Sequence, residues 1–327
     1  MKYHFCTLFD RNYMYKGLSL YNSIVKHCPE FVLWILCMDD IVYKLLKKLN
    51  LEKTVLIKLV DFEDEALLKA KSTRTVAEYC WTCTPSLPLY ILQQDPSVQI
   101  ITYLDADIFF YSNPAPLYDE FGDNSIMIIE HRFPKHLKHM EVNGIYNVQM
   151  MVFKNNKHGL ECLKWWRDRC NEWCYYRLED GKMGDQKYLD DWPVRFKGVH
   201  VLQHKGGGLA LWNIEQYNIS KKQSYVFVDE DPLIFYHFHQ FNLLKKGSYD
   251  YGEGSLYNLT PGNINLIYKP YIMALEEAMS QVKKIDPGFN YGFRYAKKDS
   301  FADKILSLPF RVQNRLRKIY GTVTSGP

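Results

Sequence analysis

The sequence predicts an α/β protein with a mostly parallel, doubly wound sheet flanked by helices and a helical extension at its C-terminal end. Three observations predict it. Strand-length apolar runs alternate with helix-period segments across the first third, the intervening segments are long enough for crossover helices, and 327 residues with 47% apolar and 24% charged side chains supply a core of matching size.

Taken in order, Tyr3–Phe9 is an apolar strand, and Leu18, Tyr21, Ile24 and Val25 come after it at helical spacing. Phe31–Cys37 is a second strand, 41–49 a helix, 55–60 a third strand and 61–71 a helix with an acidic cap. A long helical segment over 75–94 leads to a central strand at 99–104. The second half is less regular, with strands near 125–130, 148–153 and 225–228 and helices over 159–176 and 267–284; no internal repeat is present. At the C-terminal end, Phe301, Ile305, Leu308, Val312, Leu316 and Ile319 recur every three or four residues among Lys304, Arg311, Arg315, Arg317 and Lys318. Such a stripe suits either a terminal helix docked on the domain or one lying on an anionic membrane, with residues 301–320 making a peripheral contact.

Composition excludes several classes. A net charge of +4 is too small to argue for nucleic acid, and the 18 glycines and 14 prolines exclude a collagenous or low-complexity chain. The longest apolar run, from Phe31 to Met38, is far short of the roughly 20 residues of a membrane span. With a strand beginning at Tyr3 and no leader pattern before it, the expected location is the cytoplasm. The eight cysteines are therefore expected to be free thiols. Cys80/Cys83 and Cys170/Cys174 read as small buried helix residues rather than zinc half-sites, since neither pair has ligand-spaced histidines after it.

In an open sheet of this kind, ligands sit beyond the carboxyl ends of the strands. Directly after Leu104 the chain runs Asp105, Ala106, Asp107. Carboxylates at i and i+2 of an extended chain share a side and can hold a divalent cation, which in turn neutralises a diphosphate. Asp229 and Asp231 offer the same spacing after a strand-like run, but Pro232 directly after them suits a turn.

Leu104 to Ile108 resembles the D-x-D signature of nucleotide-sugar glycosyltransferases of the GT-A fold, and other segments are similar to family 8 of those enzymes, the glycogenin-like and bacterial lipopolysaccharide hexosyltransferases. Asp10 to Tyr13 resembles its nucleotide-contacting turn, Tyr146 to Met150 its F-N-x-G segment, Gly184 to Lys187 its D-Q-D segment, and Phe235 to His239 the start of its H-F-x-G-x-x-K-P-W motif. The segments occur in the family's order over residues 1–245. The resemblance implies a Rossmann-like GT-A catalytic domain over 1–245 and a helical extension over 246–327. It implies donor-nucleotide contacts from Thr7, Asp10, Asn12 and Tyr13, and Mn²⁺ or Mg²⁺ bound by Asp105 and Asp107 with His237 or His239. Lys245 would then neutralise a phosphate, and Asp185, Gln186 and Asn147 would surround the donor sugar. The chemistry of the side chains agrees: Asp10 can accept a uracil imide proton, Tyr13 offers a stacking face, and a bound cation stabilises a leaving nucleoside diphosphate. Trp192, Trp212 and Tyr217 either stack on acceptor sugars or belong to the core.

The match departs from the pattern at Gln149 and Gln240, which stand at glycine positions, and at Lys187, which replaces the second aspartate of D-Q-D. The K-P-W ending is absent, which leaves His237 and His239 as alternatives for the metal. The activity implied is transfer of a hexose from a UDP-sugar to a cell-surface glycan, with retention, the acceptor being a lipopolysaccharide or lipid-linked saccharide. A sugar-nucleotide pyrophosphorylase shares the architecture but normally has a glycine-rich basic loop where this chain runs from Thr7 to Tyr13. The departures keep open a non-catalytic, transferase-like scaffold.

Overall fold

A computed structural model of the chain describes residues 2–295 apart from 246 and 255. The basic amphipathic stripe of 301–320 lies outside the described residues.

β1 (Tyr3–Phe9) leads through a 3-10 turn, Arg11–Tyr13, into α1 (Met14–His27), and β2 (Phe31–Cys37) into α2 (Asp40–Leu49). β3 (Thr54–Lys58) is followed by α3 (Leu59–Phe62), α4 (Glu65–Lys71), α5 (Val76–Cys83) and α6 (Ser86–Gln94). Two expected helices are thus each divided. Over 61–71, Asp64 accepts a hydrogen bond from the Leu67 N–H and caps a new helix. Over 75–94, Pro85 has no N–H to continue the ladder, so α5 ends at Thr84, whose N–H reaches the Cys80 and Trp81 carbonyls. β4 (Ile100–Leu104), β5 (Ile108–Phe110), α7 (Ala115–Phe121), β6 (Ile126–Glu130) and β7 (Tyr146–Lys154) come next. α8 (Lys157–Glu172) starts two residues before the expected point because Asn156 caps it. Beyond it lie α9 (Trp192–Arg195), β8 (Val199–Val201), β9 (Leu209–Ala210), β10 (Ile219–Lys222), β11 (Tyr225–Val228), β12 (Asp231–Pro232) and β13 (Phe235–His237). The described chain closes with β14 (Asn242–Leu244), β15 (Ser248–Asp250), α10 (Pro261–Asn263), α11 (Lys269–Ile285) and β16 (Phe293–Arg294).

The main sheet has seven strands in the order β3-β2-β1-β4-β7-β6-β8. β7 is antiparallel to both its neighbours and the other pairings are parallel, as expected of a mostly parallel sheet. Side chains alternate between two cores with period two: Phe5 and Phe9 face one and Cys6 and Leu8 the other. The first core is closed by α1 and α11, through Leu18, Tyr271 and Leu275; the second by α6 and α8, through Leu87 and Trp166.

The C-terminal extension is tied back to this body. β14 pairs with β15 and, in parallel, with β16, so residue 245 lies inside a hairpin. α11 packs along α1, and Gly292 (φ +85°) sits where a Cβ would be 2.8 Å from the Asn12 carbonyl oxygen. That close approach brings the last strand against the turn after β1.

Candidate active site

β4 delivers Asp105 to the carboxyl edge of the sheet, where its N–H bonds the Gln149 carbonyl on β7 at 2.8 Å. The Ile108 N–H then returns to the Asp105 carbonyl at 3.2 Å, so Asp105 to Asp107 form a turn rather than the extended segment the spacing suggested. The two carboxylates still converge, because a second sheet holds them. β13 runs antiparallel to β5 with His237 opposite Ile108, and the Phe238 N–H donates to the Asp107 carbonyl at 2.9 Å. His237 Nε2 consequently lies 3.1 Å from Asp107 Oδ1 and 3.6 Å from Asp105 Oδ2.

Among the described residues, one oxygen each from Asp105 and Asp107 and one nitrogen from His237 lie within 4.8 Å of one another. Two hard oxygen donors and an imidazole suit Mn²⁺ or Mg²⁺, with other positions left for water and phosphate oxygens. Of the two histidine alternatives, His237 joins the carboxylates, while His239 packs its ring at 5.5 Å from Trp212.

Two further groups hold the carboxylates. Tyr103 donates its hydroxyl to Asp105 Oδ1 at 3.0 Å, and Lys16 Nζ, from α1, lies 3.3 Å from Asp107 Oδ2. Burial pushes both acids up. For Asp107 the nearby Lys16 and His237 outweigh burial, and it falls below the usual carboxylate range. For Asp105 burial prevails over His237 and it stays raised.

Across a cavity of about 420 Å³ stands the second group of expected residues. Gly184, at φ +54°, turns the chain so that Asp185 and Gln186 line the cavity. Asp185 is 7% exposed; burial, then the Asp105 charge, push its pKa up to about 8. Asn147, on β7, places its Nδ2 3.5 Å from Gln186 Oε1. Asp10, Tyr13, Trp81, Phe133 and Tyr176 also line the cavity. Both oxygens of Asp10 accept from Asn12, through its backbone N–H at 2.9 Å and its side-chain amide at 2.8 Å.

Other expected residues lie elsewhere. Thr7 is fully buried in β1 and does not line the cavity; Asn12 reaches it only by holding Asp10. Lys245 is turned away, its Nζ 2.7 Å from the exposed Tyr295 hydroxyl. Trp192 is core and Trp212 lines the cavity, whereas Tyr217 does not line it. Asp229 lies in the turn between β11 and β12, at φ +53° and bonded to Lys205 at 2.7 Å, and Asp231 begins β12. The described cysteines are free.

Of the departures from the resemblance, Lys187 has a local explanation, and Gln149 is buried with neither side-chain polar atom hydrogen-bonded. Lys187 binds Asp190 Oδ2 at 2.6 Å and the Glu141 carbonyl at 3.2 Å, and Asp190 Oδ1 accepts the Ile145 N–H at 2.7 Å, so it clamps the loop beside Gln186. Gln240 adopts φ +62°, the left-handed backbone that a glycine would take there at less cost. Residues missed by motif reading are Lys16, Tyr103 and His131. Tyr103 lies only two residues before its partner Asp105, whereas Lys16 and its partner Asp107 are 91 positions apart and no spacing links them.

This fold and site define a doubly wound α/β protein presenting an Asp-Asp-His cluster able to hold a cation and a polar pocket at the carboxyl edge of its parallel strands. The chain belongs to the family of two Bacillus subtilis (strain 168) proteins, YfnD and YfnF, each described as uncharacterized. It is 34% identical to YfnD over 295 residues, 89% of this chain and 94% of that protein. With YfnF it shares 31% over 303 residues, 90% and 98% of the two chains. No protein-family model matches the chain. Similar solved structures include the glycosyltransferase GlyE of Streptococcus pneumoniae TIGR4 (12% identity, 90% of this chain and 66% of that one, TM-score 0.49). Another is the galactosyltransferase LgtC in complex with donor and acceptor sugar analogs (13%, 84% and 95%, TM-score 0.48).

Proposed function

We propose that the protein is a metal-dependent GT-A glycosyltransferase that moves a hexose, with retention, from a UDP-sugar to a saccharide acceptor at the cell surface. The observation that carries this is the convergence of Asp105, Asp107 and His237 on one wall of a cavity whose other wall is Asp185, Gln186 and Asn147. Asp105, Asp107 and His237 would hold the divalent cation, which would supply Lewis-acid stabilisation of a departing diphosphate. The chain's own groups do the remaining work. Asp10 and Tyr13 receive the base, and Lys16 and Tyr103 hold the two carboxylates in place. Asp185 and Gln186 fix the sugar, and the lining aromatics Trp81, Phe133 and Tyr176 receive the acceptor ring. With no exposed carboxylate base required, the leaving phosphate takes the acceptor's proton, which suits a site built for positioning and charge neutralisation.

The acceptor is a lipid-linked or lipopolysaccharide saccharide in this reading, reached with the help of residues 301–320. No helix among the described residues is long and apolar enough to cross a membrane.

A panel of UDP-sugars incubated with the full chain and Mn²⁺ tests the reading. The expected result is hydrolysis of at least one donor, abolished by chelation and by Asp107→Asn together with Mn²⁺-dependent UDP binding in calorimetry. UDP binding that is indifferent to both would overturn it.

A further inference from the structure

His131 directly succeeds β6 and is 6% exposed, at the wall of the cavity. Its ring is wedged: Phe133 stacks on it at 4.7 Å and 9°, and Trp212 meets it edge-on at 5.1 Å. Its own carbonyl accepts from Trp212 Nε1 and Asn213 Nδ2, both at 2.9 Å.

The hydrogen bonds around this ring have only one consistent direction. His131 Nδ1 lies 3.1 Å from the Ile145 carbonyl oxygen, which can only accept, so Nδ1 carries the proton. Burial keeps the ring neutral, the Ile145 bond opposing and His239 and His237 reinforcing it, with a pKa down at about 3. In that tautomer Nε2 is bare, and it accepts from Asn147 Nδ2 at 3.0 Å. The Asn147 amide is oriented independently, because its Oδ1 accepts the Gln149 N–H at 2.9 Å. Its second Nδ2 proton faces Gln186 Oε1 at 3.5 Å, and Gln186 Nε2 donates to the Asn143 carbonyl at 3.0 Å. Two backbone carbonyls and one backbone N–H thereby assign every amide and imidazole atom in the row.

We propose that His131 is a positioning residue for sugar transfer: in its Nδ1–H tautomer it accepts from Asn147 and so holds in place, beside Gln186, the amide that the Gln149 N–H orients. This rests on the transferase reading. The remaining Oε1 lone pair and Nε2 proton of Gln186 then have set places, whereas the opposite histidine tautomer would set two donors against each other at Asn147. Nothing in the role requires His131 to touch substrate or change its charge.

The test uses the full chain with Mn²⁺ and whichever UDP-sugar the donor panel identifies. His131→Phe keeps an aromatic ring between Phe133 and Trp212 but removes the relay. The expected result is a kcat for donor hydrolysis lowered about 10–100-fold, with KM and Mn²⁺-dependent UDP binding within about threefold of wild type. Alongside it, ¹⁵N NMR of histidine-labelled wild-type protein is expected to find His131 neutral and protonated on Nδ1 between pH 6 and 8. An unchanged kcat, a parallel loss of UDP binding, or an Nε2-protonated ring would each overturn the proposal. Failure of wild type to hydrolyse any UDP-sugar would instead overturn the transferase reading, and the tautomer measurement judges the relay without it.

Discussion

Lys16 Nζ sits 3.3 Å from Asp107 Oδ2, and each side chain is only 9% exposed. One oxygen of the D-x-D carboxylate is thus held by a fixed cation, while the other, Oδ1, faces His237. A buried ion pair adds little net stability, but removing one partner strands the other's charge.

Lys16→Met is therefore expected to destabilise the chain by about 3 kcal/mol near neutral pH, since Asp107 would remain as an uncompensated buried carboxylate. Asp107 is depressed in the folded state, so the stability it contributes is present above its unfolded pKa and lost as the solution is acidified below it. The variant should lose part of that acid sensitivity. Added Mn²⁺ should raise its melting temperature more than that of wild type, because the ion restores a positive charge beside Asp107. Equal shifts in the two proteins would show that Lys16 and the cation do not share a carboxylate.

Asp185 titrates in the opposite sense. Its pKa is raised from 3.8 to about 8 by burial and by Asp105, so between those values the folded chain keeps a proton that the unfolded chain releases. The stabilising contribution of the neutral acid is full below pH 3.8 and declines as pH rises towards 8. Asp185→Asn, always neutral, should therefore melt close to wild type at about pH 5 and increasingly above it towards about pH 8.5, while donor turnover falls. A melting difference that stays flat over this range would place the carboxylate in a more polar setting than its burial implies.

Gln240 occupies left-handed backbone at φ +62°. Gln240→Gly should remove that strain and stabilise the protein by about 1 kcal/mol, less the entropy that glycine gains in the unfolded chain. Urea titration reads this as a higher midpoint at an unchanged slope. A lower midpoint would mean that contacts of the Gln240 side chain outweigh the strain.

The alternating first third was legible because β1 and most of β2 are buried and α2, α4 and α5 carry side-chain caps, so local pattern and final structure agree there. The divided helices were less so: Asp64 reads equally well as an interior polar residue or a cap until the turn before it is known. At the site, Asp105, Asp107, Asp185, Gln186 and Asn147 could be named from short segments, since each lies at a strand end or sharp turn. Lys16 and His131 could not. Lys16 occupies a helix face that sequence alone assigns to solvent, and His131 acquires its role only when β7 brings Asn147 beside β6. Lys245 shows the converse, a residue whose spacing fitted while the fold of β14 and β16 carried it towards Tyr295. Choosing between His237 and His239 needed the β5–β13 register, which no local pattern encodes.

That register joins residues 130 positions apart, Asp107 and His237. A ribosome-bound chain that has emerged only as far as β7 already carries the D-x-D turn and Asn147, yet lacks Asp185, Gln186 and the imidazole. Closing so long a loop is the slow, entropically costly part of assembly. Cation capture by all three groups therefore belongs to the finished molecule, and a bound ion would act as a clasp across the loop. Metal-dependent protection from proteolysis should begin only with fragments long enough to include β13.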